Sequence, residues 1–140
     1  MMLPPNFEID TNPDRLPITE IHAFLNTTYW AENRSLETVQ KSIEHSMNFG
    51  LYHEHKLAGF ARVVTDKVIF AYLCDVYILP EYQGQGLGKA LMYHIHHHPE
   101  LKTMRRWFLA TKDAHGLYRQ SGYTALEKPE RWMEKFRSDL

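Results

Sequence analysis

Residues 80–93 read Pro-Glu-Tyr-Gln-Gly-Gln-Gly-Leu-Gly-Lys-Ala-Leu-Met-Tyr. Glycines stand at every second position, Gly84, Gly86 and Gly88, between a long apolar run and a helix-like one. Residues without side chains let a backbone curl tightly with its N–H groups pointing inward. A helix that starts where the curl ends adds free N–H groups and the positive end of its dipole. The stretch therefore predicts a seat for a phosphate or pyrophosphate, built from Gln83, Gly84, Gln85, Gly86, Leu87, Gly88 and Lys89. Lys89 either adds charge there or is a solvated lysine of a first helical turn. Two common phosphate loops fail on residues. A Walker A loop needs Gly where Gln83 stands and a hydroxyl where Ala90 stands. The dinucleotide fingerprint needs a third Gly where Lys89 stands, near the start of a strand–helix–strand unit.

A third pattern fits. Gln83-x-x-Gly86-x-Gly88 resembles the acyl-CoA pyrophosphate loop of the GNAT superfamily of N-acetyltransferases, Gln/Arg-x-x-Gly-x-Gly/Ala. The preceding run, residues 70–79, resembles that family's central strand and ends in the turn Pro80-Glu81-Tyr82. Some thirty residues on, Ala114-His-Gly-Leu-Tyr118-Arg-Gln-Ser-Gly122-Tyr123 is similar to its second motif, Ala-x-x-Leu-Tyr-x-x-x-Gly-Phe/Tyr. The resemblance covers residues 49–126 well and the first 48 in outline. It implies an α/β (α+β) GNAT fold: a mixed, mostly antiparallel sheet of six to seven strands, with helices on both faces. It also implies a splayed central pair of parallel strands whose gap holds the pantetheine arm.

The pattern along the chain is consistent with that order. Phe7–Asp10 alternates like a short strand, and residues 17–28 carry Ile18, Ile21, Phe24 and Leu25 at helical spacing. Ser35 is placed to cap a second helix, with Leu36, Val39, Ile43 and Met47 on one face. Residues 50–53 and 57–64 read as a hairpin, and 68–79 as the longest strand. Leu87, Leu91 and Ile95 make the buried stripe of the helix after the glycines, which Pro99 ends. Residues 106–110 read as a strand. Asp113 is placed to cap a short helix to Ser121, with Gly122 at its end. Residues 123–126 read as a last strand. The tail, 127–140, has Trp132, Met133 and Phe136 at helical spacing. One domain, 1–140, is expected.

Acyl transfer from a thioester to an amine sets three chemical needs. An amine with a pKa near 10.4 costs about 4.6 kcal/mol to deprotonate at pH 7. The carbonyl oxygen gains negative charge and needs an N–H donor. The leaving thiolate departs better if an acid protonates it. The resemblance places Tyr118 at the thioester sulfur, where a phenol is still protonated at neutral pH. It places the backbone of Val76, Tyr77 and Ile78 along the pantetheine, with the N–H of Val76 toward the thioester oxygen. Asp75 is the one charged residue in the apolar run 69–79, and a buried unpaired carboxylate is costly. It either serves as a general base, in place of water, or pairs with an unseen Arg or backbone N–H. Where the family has Asn, this chain has Thr111, so contact of Thr111 or Asp113 with the cofactor stays open.

Cys74 reads as an inert thiol, on the opposite strand face from Asp75. His94-Ile-His-His-His98 reads as a solvated helix end rather than a metal site, because neighbouring helical residues diverge by about 100°. No metal is expected. Tyr29, Trp30, Tyr72 and Tyr77 are candidate walls of an acceptor pocket, with plain core aromatics as the alternative.

Composition narrows the class. The chain has 140 residues, 44% hydrophobic and 24% charged, with a net charge of −1. That balance argues against nucleic-acid binding, and no apolar run approaches the roughly 18 residues of a membrane span. The start, Met-Met-Leu-Pro-Pro, does not resemble a secretory leader. One cysteine is consistent with a reducing cytoplasm. The expected activity is transfer of an acetyl group from acetyl-CoA to a small-molecule or peptide amine. Its rivals are a non-catalytic acyl-CoA-binding module and an interaction protein using the 132–136 tail. A homodimer is left open.

Overall fold

The computed structural model describes residues 2–139. Five strands form one sheet in the order β1 (Phe7–Asp10), β2 (Met47–His53), β3 (Lys56–Thr65), β4 (Phe70–Ile78), β5 (Arg106–Phe108). The first four pair antiparallel; β4 and β5 run parallel. Four α-helices accompany it: α1 (Ile18–Leu25), α2 (Leu36–Glu44), α3 (Leu87–His96) and α4 (His115–Arg119).

Strand alternation sorts the apolar side chains into two cores. Tyr52, Leu57, Phe60 and Tyr77 meet Ile21, Leu25, Val39 and Ile43 of α1 and α2 on one face. Phe49, Ala61, Val63, Ala71 and Leu73 meet Leu91, Met92 and Ile95 of α3 on the other. Helices on both faces thus follow from the period-2 and period-3.6 patterns. The Ser35 hydroxyl caps α2 by accepting the Thr38 N–H at 3.0 Å.

Several expectations are corrected. The sheet has five strands among the described residues, not six to seven. Residues 123–126 form no strand. The tail contains a single 3-10 turn, Pro129–Arg131, and no α-helix among the described residues. Met133 and Phe136 are 97% and 80% exposed, so no packing supports the turns of a short helix. Trp132 instead turns back onto Phe108, with ring centroids 4.4 Å apart, over a cavity of about 510 Å³. Met47 begins β2 rather than continuing α2, because His45 leaves helical geometry. β4 begins at Phe70. Asp66 Oδ1 accepts the N–H groups of Val68, Ile69 and Phe70, making residues 66–69 a turn.

Two irregularities of β4 create the cleft. Its pairing with β5 spans only Phe70–Tyr72 against Arg106–Phe108. Beyond Tyr72, the edge toward β5 has no strand partner among the described residues. On the other side, the register with β3 slips between Phe60 and Arg62, a bulge marked by Asp75 at φ 55°. The slip puts two β4 residues opposite Ala61.

Candidate active site

The cleft between the diverging ends of β4 and β5 has a volume of about 570 Å³. Tyr29, Trp30, Tyr72, Asp75, Val76 and Tyr118 are among its walls. The opposite rim is the β5–α4 segment, including Thr111 and Asp113. Tyr29 ties the rims together: its hydroxyl accepts the Lys112 N–H at 2.9 Å. Tyr77 is not a wall. Its side chain is buried against Phe24, stacked at 4.1 Å. The bulge puts Tyr72 and Tyr77 on the same face of β4, opposite Val64 and Phe60, and their places along the strand separate them: Tyr72 at the cleft, Tyr77 in the α1 core.

The glycine loop divides into two kinds of position. Gly84 and Gly86 have φ of 86° and 78°, which an L side chain adopts only at a cost. Gly88 has ordinary helical geometry inside α3, and a Cβ there would meet Leu117 at 3.8 Å, normal contact. The curl therefore needs two glycines rather than three, and α3 begins at Leu87. Among the described residues no side chain caps α3. Its first bond within reach is Ala90 N–H to Gly86 O, so Leu87, Gly88 and Lys89 lie before the helical ladder closes. Gln83 and Gln85 brace the loop, donating to Ile78 O at 2.9 Å and Tyr82 O at 3.1 Å. Uncapped N–H groups and open space at two left-handed glycines fit a diphosphate. Leu117 against Gly88 ties α4, and with it Tyr118, to the same end of the molecule.

Asp75 is 3% exposed and fully engaged. Trp30 Nε1 donates to it at 3.1 Å, Arg34 Nη1 to both oxygens at 2.9 Å, and Arg62 Nε at 2.8 Å. A carboxylate whose lone pairs meet four N–H contacts, away from solvent, has no acceptor site left for an amine proton. The base reading of Asp75 is corrected on this ground, and the pairing reading stands. Both arginines escaped the sequence reading. The available signal was Arg62, a cation inside the apolar stretch 57–64 of β3, which needs a counter-charge as Asp75 does. Arg34 lies in the 29–34 loop, 41 residues away in sequence, and only folding joins it to the site.

Cys74 is also placed differently. The bulge breaks alternation, so Cys74 pairs across from Arg62 and lines the same cleft as Asp75. Burial pushes its thiol up to about 11, which keeps it protonated and a poor nucleophile at neutral pH. His94 and His98 part company: His94 Nε2 is buried with no hydrogen-bond partner among the described residues, while His98 stands edge-on to Phe49. Thr111, not Asp113, supports the start of α4; its hydroxyl accepts the Ala114 N–H at 3.1 Å.

Tyr118 is half-buried, and burial pushes its phenol up to about 12. Burial also raises Tyr77 and Tyr123. These phenols hold their protons in the fold at a pH where the unfolded chain, with phenols near about 10, releases them. The phenols' contribution to stability is thus full below about pH 10 and falls as pH rises from there toward 12, while that of the buried Cys74 thiol already falls from about pH 9. The expected result is a melting temperature that begins to fall near pH 9 and drops steeply above 10. Ultraviolet titration should show the buried phenols of Tyr77, Tyr118 and Tyr123 ionising only together with unfolding; ionisation of all eight tyrosines in the folded protein at pH 10 would contradict it.

These features define an α/β protein with a glycine loop and helix start after the unpaired end of β4, and a cleft between β4 and β5. The profile of the Acetyltransferase (GNAT) family matches residues 18–123. The chain belongs to that family. A crystal structure from Xanthomonas campestris pv. campestris, assigned to the gnat family of acetyltransferases, is 42% identical, with TM-score 0.93 over 97% of this chain and 96% of that one. The ycf52-like N-acetyltransferase of Prochlorococcus marinus is 34% identical over 83% of this chain and 67% of its own length. A Gibberella zeae acetyltransferase is 32% identical over 62% of this chain, and the chain spans 60% of that relative. N-acetylglutamate synthase from Neisseria gonorrhoeae, complexed with coenzyme A and N-acetyl-glutamate, shares the fold at TM-score 0.70 and 20% identity. That match covers 89% of this chain and 30% of the synthase.

Proposed function

We propose that this chain is an acetyl-CoA-dependent N-acetyltransferase that moves the acetyl group directly to a primary amine. One observation carries the reading: an α3 start without a side-chain cap, at two left-handed glycines, follows the end of β4 that leaves β5, and Tyr118 lines the cleft between those strands. Acetyl-CoA, when bound, supplies the acyl group as a thioester. The N–H groups of Gln85 to Lys89 hold the diphosphate, with Gly84 and Gly86 keeping the loop clear of side chains. The free β4 edge, Val76 to Ile78, aligns the pantetheine arm by backbone hydrogen bonds. The Val76 N–H donates to the carbonyl oxygen as negative charge builds there. The Tyr118 O–H gives its proton toward the leaving sulfur. Solvent in the cleft takes the proton of the attacking amine, since Asp75 has no acceptor site to spare. Thr111 and Asp113 border the arm from the β5 side. Tyr29, Trp30 and Tyr72 wall the acceptor.

The test is release of thiol from acetyl-CoA against a broad panel of amines, with calorimetry of coenzyme A binding. Amine-dependent release is expected. Binding heat without release would leave a cofactor-binding module, and no heat would remove the whole reading. Two glycine variants sharpen it. Gly86→Ala forces a side chain into a left-handed backbone, costing about 1–2 kcal/mol, and should weaken coenzyme A binding at least tenfold. Gly88→Ala sits in ordinary helix and should bind as the parent does, with about 0.5–1 kcal/mol of added stability. Equal loss in both variants would refute the division between the two positions.

A further inference from the structure

Arg34 has an unused half. Its Nη1 alone contacts Asp75, at 2.9 Å to each oxygen. A guanidinium carries five N–H donors in one plane, and the pair Nε and Nη2 forms a second fork. Among the described residues no acceptor meets that fork. The side chain is 28% exposed and lines the cleft beside Tyr29 and Trp30. Arg62 differs. It is 12% exposed, and its Nη1 is spent on Ser46 Oγ at 2.9 Å. Two guanidinium groups thus share one carboxylate and leave a positive charge facing the cavity. Lys112 adds another at the rim, its Nζ 5.5 Å from the Tyr29 ring centroid. Asp113 is the other carboxylate in the lining.

Resting on the acetyltransferase reading above, we propose that Arg34 selects the acceptor: an amine carrying a carboxylate on the same molecule, of the amino-acid class. A planar fork matches a carboxylate with two parallel N–H···O bonds, a fit a lysine ammonium lacks. Asp75 fixes the guanidinium from behind, so the outer edge is ordered before the acceptor arrives, which lowers the entropy lost on binding. The aromatic walls take the apolar part of the acceptor.

The test compares each L-amino acid with its own carboxamide as acceptor, measuring kcat/KM at fixed acetyl-CoA. The parent protein should prefer the acid at least tenfold. In Arg34→Gln and Arg34→Lys the acid should fall at least tenfold further than the amide, collapsing the ratio toward one for Gln. A purely structural Arg34 would lower both acceptors alike. Should the variants fold poorly, the parent supplies a second measurement: calorimetry of N-acetyl amino acids against their amides on the coenzyme A-loaded protein, with the acid expected to bind at least tenfold tighter. Turnover of amines with no preference for the acid overturns this inference and leaves the acetyltransferase reading intact. Failure to release thiol with any amine overturns both.

Discussion

Asp75→Asn should lower the melting temperature by about 10 °C, the largest stability effect expected of a single conservative substitution here. The carboxylate is buried, with Arg34, Arg62 and Trp30 all donating to it. An asparagine offers one acceptor oxygen and turns an amide N–H₂ toward groups that can only donate. Two guanidiniums then face each other without a counter-charge. Breaking a buried ion pair on one side costs about 3–5 kcal/mol, because the surviving charges stay desolvated. Scanning calorimetry of Asp75→Asn decides it; a shift under about 3 °C would mean that the clamp contributes little. A triple variant with Met, Leu and Leu at 34, 62 and 75 should recover part of the loss, because the penalty lies in the unpaired charge.

Tyr118→Phe should lower kcat about a hundredfold or more, with coenzyme A affinity changed less than about threefold. The ring packs beside the α3-side core, and phenylalanine keeps that contact. What disappears is the O–H donor. Its pKa, pushed up to about 12, keeps the phenol protonated throughout the working range. The parent rate should therefore climb from pH 6 to 9 as the amine loses its proton, without a falling limb from Tyr118. The variant should run parallel and lower. A drop under threefold across that range would take Tyr118 out of the acid role. Thermal unfolding of the variant below pH 10 should match the parent, which separates lost chemistry from lost structure.

The conformation of the glycine loop was legible in the sequence because it depends on what is missing. Glycines at 84 and 86 announce a backbone that side chains would strain, and such an announcement needs no tertiary partner. The short helix that carries Tyr118 was legible through a local motif. The helices and strands were legible wherever apolar residues repeat with a matching period, as in α3 and β3. The tail misled for the same reason: Trp132, Met133 and Phe136 keep helical spacing, but spacing alone supplies no surface to bury them. Asp113 and Met47 misled by one element boundary each, where capping and strand signals competed.

The residues themselves determined the loop, the helix that follows it and the alternation that sorts two cores. Tertiary structure alone decided the partners of Asp75, the shared face of Cys74 and Asp75, and the inward turn of Tyr77. The physical reason is the bulge in β4, one extra residue against β3. It shifts every later side chain by one place, and no local preference records such a slip. The same slip brings Arg34, distant in the chain, against a carboxylate that could not have been buried without it.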